Sequence, residues 1–271
     1  GQLFIDYEAP EGTVVNFGWE EDASIGRPNI LKRAGVFTAA QHIAKEGHNY
    51  FETFKPYGHR YIQIVIQNAT SPVKINEIGR REQLYPLEKT GWFECSDPMM
   101  NSIWELGWRT IRICAEDVFI DPFRERGLYA GDLMAQTTLS YVTSGDVTLI
   151  RKSMREIQGL YREVMQDYPD VDVDRHGIGL LGDYPLITLM NLRWYFDISH
   201  DTAFIAESYP AYQSMMDSLW LKQDENGIIW HNGGFIEWIQ IDKRAEMATV
   251  HALISRCYSD LAFLSTVLGK E

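Results

Sequence analysis

The sequence predicts two domains of different class: a β-sandwich-like domain over residues 1–90 and an all-α domain over residues 91–271. Three observations carry this. Before about residue 90, short runs of β-formers alternate and are punctuated by Gly, Pro and Asn. After it, apolar residues recur at helical spacing. The joins between the helices then repeat a common pattern, and 271 residues suit two domains.

The strand-like runs are Leu3–Tyr7, Thr13–Phe17, Tyr50–Phe54, Arg60–Ile66 and Val73–Ile78. They read as antiparallel sheet. The opening Gly1-Gln-Leu-Phe-Ile5 is already strand-like, so the first domain is expected to be truncated at its N-terminus. Tyr85-Pro-Leu-Glu88 is the crossing. Ser96-Asp-Pro98 then reads as a helix start, with Ser96 as N-cap, Asp97 in the first turn and Pro98 where its missing N–H costs nothing. Met100, Ile103, Trp104, Gly107, Trp108, Ile111 and Cys114 form one apolar face. Further helices are expected at 132–144, 147–165, 184–199, 202–220 and 244–268.

The joins repeat. Tyr141-Val-Thr-Ser-Gly-Asp-Val-Thr-Leu-Ile150 is echoed by Tyr195-Phe-Asp-Ile-Ser-His-Asp-Thr-Ala-Phe-Ile205. Each places an aromatic near a helix end before a turn, an Asp able to cap the next helix, and an apolar residue. Leu264-Ser-Thr-Val-Leu-Gly269 reads as a third such exit. Hairpins recurring every ~50–70 residues are longer than the ~33–47 residues of solenoid repeats and predict a ring of inner and outer helices. An irregular helical bundle is the alternative. Six helices are half of what a ring of six hairpins needs, so the ring is expected to be incomplete.

Composition narrows the function. A net charge of -13 repels phosphate backbones, which argues against nucleic acid as partner. No apolar run reaches the ~18–20 residues that cross a bilayer, so no membrane insertion is expected. Cys95, Cys114 and Cys257 lie far apart with no paired spacing, against zinc and against a disulfide framework; they read as small buried hydrophobes. No metal and no cofactor are expected.

One segment concentrates chemistry: Asp121-Pro-Phe-Arg-Glu-Arg-Gly-Leu-Tyr-Ala-Gly-Asp132. Pro122 stops the preceding helix, Gly127 permits a tight path, and Asp132 lies where a helix dipole favours a carboxylate. Glycoside hydrolysis needs such a loop: one carboxylic acid protonates the departing oxygen while another stays ionised. Glu125, between Arg124 and Arg126, could be tuned either way. A salt-bridged loop clamping two helices explains the same charges equally well, and the residues alone leave both open.

The segment resembles the signature of bacterial α-L-rhamnosidases of glycoside hydrolase family 78, which runs roughly Asp-Cys-Pro-Gln-Arg-(Asp)-Glu-Arg-x-Gly-Trp-x-Gly-Asp. Asp121, Pro122, Arg124, Glu125, Arg126, Gly131 and Asp132 match in kind and order. Phe54-Lys-Pro-Tyr-Gly-His-Arg-Tyr61 resembles the family's closing β-strand motif, Gly91-Trp-Phe-Glu-Cys-Ser-Asp-Pro98 its approach to the barrel, and Ile236-Glu-Trp238 its acidic-Trp loop. The resemblance implies the C-terminal part of a β-sandwich followed by an incomplete (α/α)6-toroid of the six-hairpin glycosidase kind. It implies an inverting enzyme that removes terminal rhamnose from glycans or glycosides, with periplasmic or extracellular residence favoured. Glu125 would be the general acid, Asp121 and Asp132 would hold sugar hydroxyls, and Tyr129 would replace the Trp that packs on the sugar. Arg124 would steady a carboxylate or a hydroxyl. Inversion requires a water between carboxyls ~6.5–9.5 Å apart. The family's general base lies in the later half of the barrel, which is expected beyond residue 271, so the 271 residues alone are expected to be inactive. The run from Asp121 to Glu125 is shorter than the family's.

Other residues have plainer alternatives. Glu237 and Trp238 could grip a pyranose, or Trp238 could simply anchor its loop. Asp183 is either a sugar ligand or an ordinary N-cap. His231, beside Trp230, reads as structural rather than as a sugar contact. The acidic run from Asp167 to Asp174 lacks the Gly and terminal Glu of a calcium loop and reads as solvated. Two competing functions remain: another (α/α)6-barrel glycosidase or lyase of different sugar specificity, and a non-catalytic carbohydrate-binding module.

Overall fold

The computed structural model describes residues 1–21, 23–24, 27–28, 38–121, 126–166, 181–229, 235–236 and 248–270. It divides into two compact units, Gly1–Pro86 with Arg112–Gly127, and Leu87–Ile111 with Leu128–Glu271.

Alternation builds the first unit. Its strands are β1 (Gln2–Ala9), β2 (Val14–Glu20), the two-residue β3 (Ala23–Ser24) and β4 (Arg27–Pro28), β5 (Ala39–Ile43), β6 (Gly47–Glu52), β7 (Tyr61–Gln67) and β8 (Lys74–Arg81). β1 runs antiparallel between β6 and β8, and β2 antiparallel between β5 and β7. Leu3, Ile5, Tyr7 and Ala9 of β1 share one buried cluster with Val15, Phe17 and Trp19 of β2. The central strands of the two sheets thus face each other across a common core. Phe17 stacks on Phe51 with ring centroids 5.0 Å apart, and Tyr7 meets His42 Nδ1 at 2.6 Å. Burying each large side chain stabilises by about 1.5–3 kcal/mol, and that shared face is what a three-stranded sheet needs for stability.

The five expected strands are all present. β5 was not expected, because Ala39-Ala-Gln-His-Ile43 contains few β-formers; pairing with β2, from Val14 opposite Ile43 to Gly18 opposite Ala39, overrides weak propensity. After β8 the chain stays tied to this unit, with Tyr85 N–H donating to the Ala115 carbonyl at 2.8 Å and Arg112 pairing with Glu82 at 3.1 Å.

The helices are α1 (Pro98–Cys114), α2 (Ala130–Ser144), α3 (Thr148–Gln166), α4 (Tyr184–Ser199), α5 (Thr202–Leu221) and α6 (Ala248–Val267). α1 corrects one expectation: Asp97 rather than Ser96 caps it, its Oδ1 accepting Met99 N–H at 2.8 Å. The reason is Pro98, which occupies the first helical position and leaves the cap to the residue directly before it. Of the expected apolar face of α1, Ile111 and Cys114 are buried while Met100 and Ile103 are exposed. Cys257 is buried as well, Cys95 is half-buried, and none of the three is in a disulfide.

In the second unit α4 packs against α2, α3 and α6, while α5 packs against α3 and α6. Successive helices therefore alternate between a row of α2, α4 and α6 and a row of α3 and α5. Burial agrees. α3 buries one stripe of Leu149, Ile150, Ser153, Met154, Ile157 and Tyr161, whereas α4 buries Leu186, Thr188, Leu189, Asn191, Leu192 and Tyr195 around most of its girth.

The repeated joins fold as the sequence predicts. Gly145 (φ 69°) and His200 (φ 51°) end α2 and α4 in the left-handed region, each amide donating at 2.9 Å to Tyr141 and Phe196 carbonyls respectively. Asp146 then accepts Thr148 and Leu149 N–H, and Asp201 accepts Phe204 N–H. Gly269, at φ 65°, makes the third exit. These short joins close the ends at which α2 and α4 finish.

Candidate active site

The motif segment divides between the two units. In the first unit, beyond the end of α1, Ile120 N–H donates to the Cys114 carbonyl, and the next residue, Asp121, is buried. Asp121 N–H donates to the Gly127 carbonyl at 2.8 Å, and Gly127 N–H donates back to Asp121 Oδ1 at 2.6 Å. Two hydrogen bonds thus join Asp121 and Gly127. Arg126, next to Gly127, has φ 56°, a left-handed conformation that costs a non-glycine residue about 1–2 kcal/mol. Its guanidinium is paired with Glu116. Pro122, Phe123, Arg124 and Glu125 lie outside the described residues, so the expected acid and its expected partner Arg124 have no geometry here.

In the second unit, Tyr129 stands at the N-cap of α2 with extended backbone, its carbonyl accepting Leu133 N–H at 2.9 Å and its side chain making no cap bond. Asp132 follows in the first turn, half-buried, where the helix dipole favours its charge. Gly131 lets Tyr184 approach: a Cβ there would lie 3.0 Å from the Tyr184 hydroxyl. Asn191 of α4 donates to the Ala130 carbonyl at 2.7 Å, which satisfies a buried acceptor and ties the start of α2 to α4.

Asp183 is nearly fully buried, at 1% exposure, one residue before α4. It holds the N-cap position, yet its side chain makes no cap hydrogen bond. Its carboxylate instead accepts Phe235 N–H at 3.1 Å and Ile236 N–H at 2.8 Å, using both oxygens. The ordinary N-cap reading is thereby corrected: with φ −89° and ψ −12° the residue is already helical, and a capping side chain reaches its amides from extended backbone. Ile236 has φ 57°, unusual for a β-branched residue and a strain of about 1–3 kcal/mol. Phe235 meets Tyr184 edge-on, with centroids 6.3 Å apart.

Tyr161 of α3 joins this group, a residue that helical spacing alone assigns to the core. Burial pushes its phenol pKa well up, and Tyr184, Asp183 and Tyr129 add to the effect. Tyr129, Tyr161, Asp183 and Tyr184 thus share one locality at the start of α2 and α4. Half-exposed Tyr129 and Asp132 place an aromatic ring and a carboxylate at the start of α2. Glu237, Trp238, Trp230, His231 and the run from Asp167 to Asp174 lie outside the described residues. Among the described residues no three His, Cys, Asp or Glu side chains gather as a metal ion would need, and no helix is long and apolar enough to cross a membrane.

Residues 88–271 match the family model of the bacterial alpha-L-rhamnosidase 6 hairpin glycosidase domain. Solved structures of similar fold include a GH78 family rhamnosidase of Bacillus sp. GL1, with TM-score 0.88 and 23% identity, covering 99% of this chain and 28% of that one. A rhamnosidase from Klebsiella oxytoca with rhamnose bound has TM-score 0.75 and 18% identity, covering 98% of this chain and 55% of that one. A Streptomyces avermitilis alpha-L-rhamnosidase complexed with L-rhamnose has TM-score 0.69 and 17% identity, covering 100% of this chain and 26% of that one. The chain therefore spans between about a quarter and about half of these proteins. No curated protein matches it.

Proposed function

Because the chain belongs to the bacterial α-L-rhamnosidase six-hairpin glycosidase family, we propose that it carries the acid-bearing part of an inverting α-L-rhamnosidase. In this reading the enzyme removes terminal rhamnose from glycans or glycosides. Glu125 donates its proton to the glycosidic oxygen, and a base beyond residue 271 activates water on the opposite face. Tyr129 and Asp132, with Asp121, Arg124, Glu237 and Trp238, bind the sugar. The helices form the first half of an (α/α)6 toroid. Two solved structures of similar fold hold rhamnose, which supports the choice of sugar.

The observation that carries the reading is the pair Tyr129 and Asp132, half-buried at the start of α2 within the span that matches the rhamnosidase family model. An aromatic ring beside a carboxylate at a helix N-terminus is suited to grip a sugar and its hydroxyls.

The test uses Glu125→Gln in the full-length protein with alkyl and p-nitrophenyl α-L-rhamnosides. We expect kcat on the alkyl rhamnoside to fall by about 10²–10⁴, with a smaller loss on p-nitrophenyl, whose departure needs little protonation. Wild-type turnover of both by the variant would overturn the assignment. Turnover of a different aryl glycoside by the wild type, with none of the rhamnoside, would move the sugar.

A further inference from the structure

An aspartate placed to cap a helix normally turns back onto that helix's own amides. Asp183 does not. Its backbone carbonyl accepts Leu186 and Ile187 N–H, at 3.1 and 3.2 Å, so the start of α4 is served by main chain alone. The carboxylate reaches a segment more than fifty residues later and takes its two successive amides, Phe235 and Ile236. Successive N–H groups at a left-handed residue make a concavity suited to an anion. Ile236 supplies the left-handed residue despite its branched side chain, and such a conformation persists only where its surroundings impose it. Tyr184 completes the anchor with its edge-on contact to Phe235. By sequence, Glu237 and Trp238 follow directly.

We propose that Asp183 is a positioning residue rather than a sugar ligand: its buried carboxylate fixes the Phe235–Ile236 backbone and so sets the point from which the acid–tryptophan pair departs. The anchoring is a property of this chain alone; its effect on turnover rests on the rhamnosidase reading above. A carboxylate with both oxygens on main-chain amides and 1% exposure has no face left for a hydroxyl.

The experiment compares wild-type full-length protein with Asp183→Asn and with Ile236→Pro. The first replaces one acceptor oxygen by a donor, and the second removes one amide and forbids the left-handed φ without changing the Asp183 side chain. Amide hydrogen exchange at Phe235 should speed up in both variants, and at Ile236 in Asp183→Asn. KM for p-nitrophenyl α-L-rhamnoside should rise about tenfold, the equivalent of one lost charged hydrogen bond, while the pH limits of kcat stay where they are. Unchanged exchange in a folded Asp183→Asn would overturn the anchoring. Weakened rhamnose binding without faster exchange would make Asp183 a direct ligand. If Asp183→Asn does not fold, Ile236→Pro decides alone, and unchanged KM there overturns the positioning. A wild type that cleaves no rhamnoside removes the rhamnosidase reading, and the exchange measurement still decides the anchoring.

Discussion

Asp183 and Asp201 stand at the same place in successive helix starts, one residue before α4 and one before α5. Asp201 turns onto its own helix, accepting Phe204 N–H at 3.0 Å, and is further held by Tyr195 Oη at 2.9 Å and Arg151 at 3.2 Å. The Asp183 carboxylate leaves its own helix to the main chain and holds Phe235 and Ile236. Backbone conformation separates them: Asp201 has ψ 78° and Asp183 ψ −12°, so only the first aims its carboxylate at the first turn. The two ends of the helix rows differ in the same way. The end with short joins uses its polar groups to close its own helices, while the end with long joins uses them to hold loops. Carboxylates at equivalent helix starts thus close a helix at one end and hold a distant segment at the other.

The largest effect that can break this comparison lies at the short-join end. Thr90 and Gly91 N–H both donate to the Thr143 carbonyl, at 3.0 and 2.8 Å, and the Thr90 hydroxyl donates to the Ser144 carbonyl at 2.7 Å. These are last-turn acceptors of α2 that its own helix leaves unpaired. A Cβ on Gly91 would lie 2.0 Å from the Val142 carbonyl oxygen, and backbone cannot swing aside as a side chain can. Gly91→Ala should lower stability by about 3 kcal/mol in urea denaturation, at the upper end of overpacking effects. A loss under about 1 kcal/mol would mean that this end gives way, against the rigidity argued for it.

Asp201 sharpens the contrast at a smaller scale. Asp201→Ala should cost about 1–2 kcal/mol, as for other lost caps. The pH dependence has a definite sign. Burial opposes ionisation of Asp201, but the Phe204 amide, Tyr195 and Arg151 outweigh it and hold the pKa below the ordinary 3.8. The folded state therefore binds this proton less readily than the unfolded one. Its contribution is complete above about pH 4 and fades as pH falls through the lowered value. Asp201→Asn should flatten the stability curve in that acid window; an unaltered curve would show that the ionised cap contributes nothing.

These differences mark what is legible in sequence. Helix limits at Gly145-Asp146 and His200-Asp201 can be read because turn and cap chemistry is local, and β1 and β2 because alternation is. The role of Asp183 cannot, since it depends on a partner more than fifty residues away and on a backbone angle that no residue type announces. Ile236 hides its left-handed conformation behind a side chain that disfavours it. Tyr161 hides in a regular apolar stripe, where a buried phenol and a core residue look alike. Tyr129 and Asp132 are found from a motif, whereas the pairing of Arg126 with Glu116 needs the turn after α1 to be folded first. The resemblance at Glu125 identifies a residue type and a position but carries no geometry.

The smallest effect tests whether the two short joins are equivalent, as their sequences suggest. Both need a left-handed residue, yet one uses Gly145 and the other His200. Gly145→Ala should cost about 1 kcal/mol, because alanine lacks glycine's freedom at positive φ. His200→Gly runs the other way: it relieves a similar penalty but gives up the edge-on contact with Phe196, 5.7 Å between centroids, and loosens the unfolded chain. The net should be a gain of about 0.5 kcal/mol, read as a small rise in Tm. Were His200→Gly to destabilise as much as Gly145→Ala, the His200 ring and not its backbone would be what closes the second join.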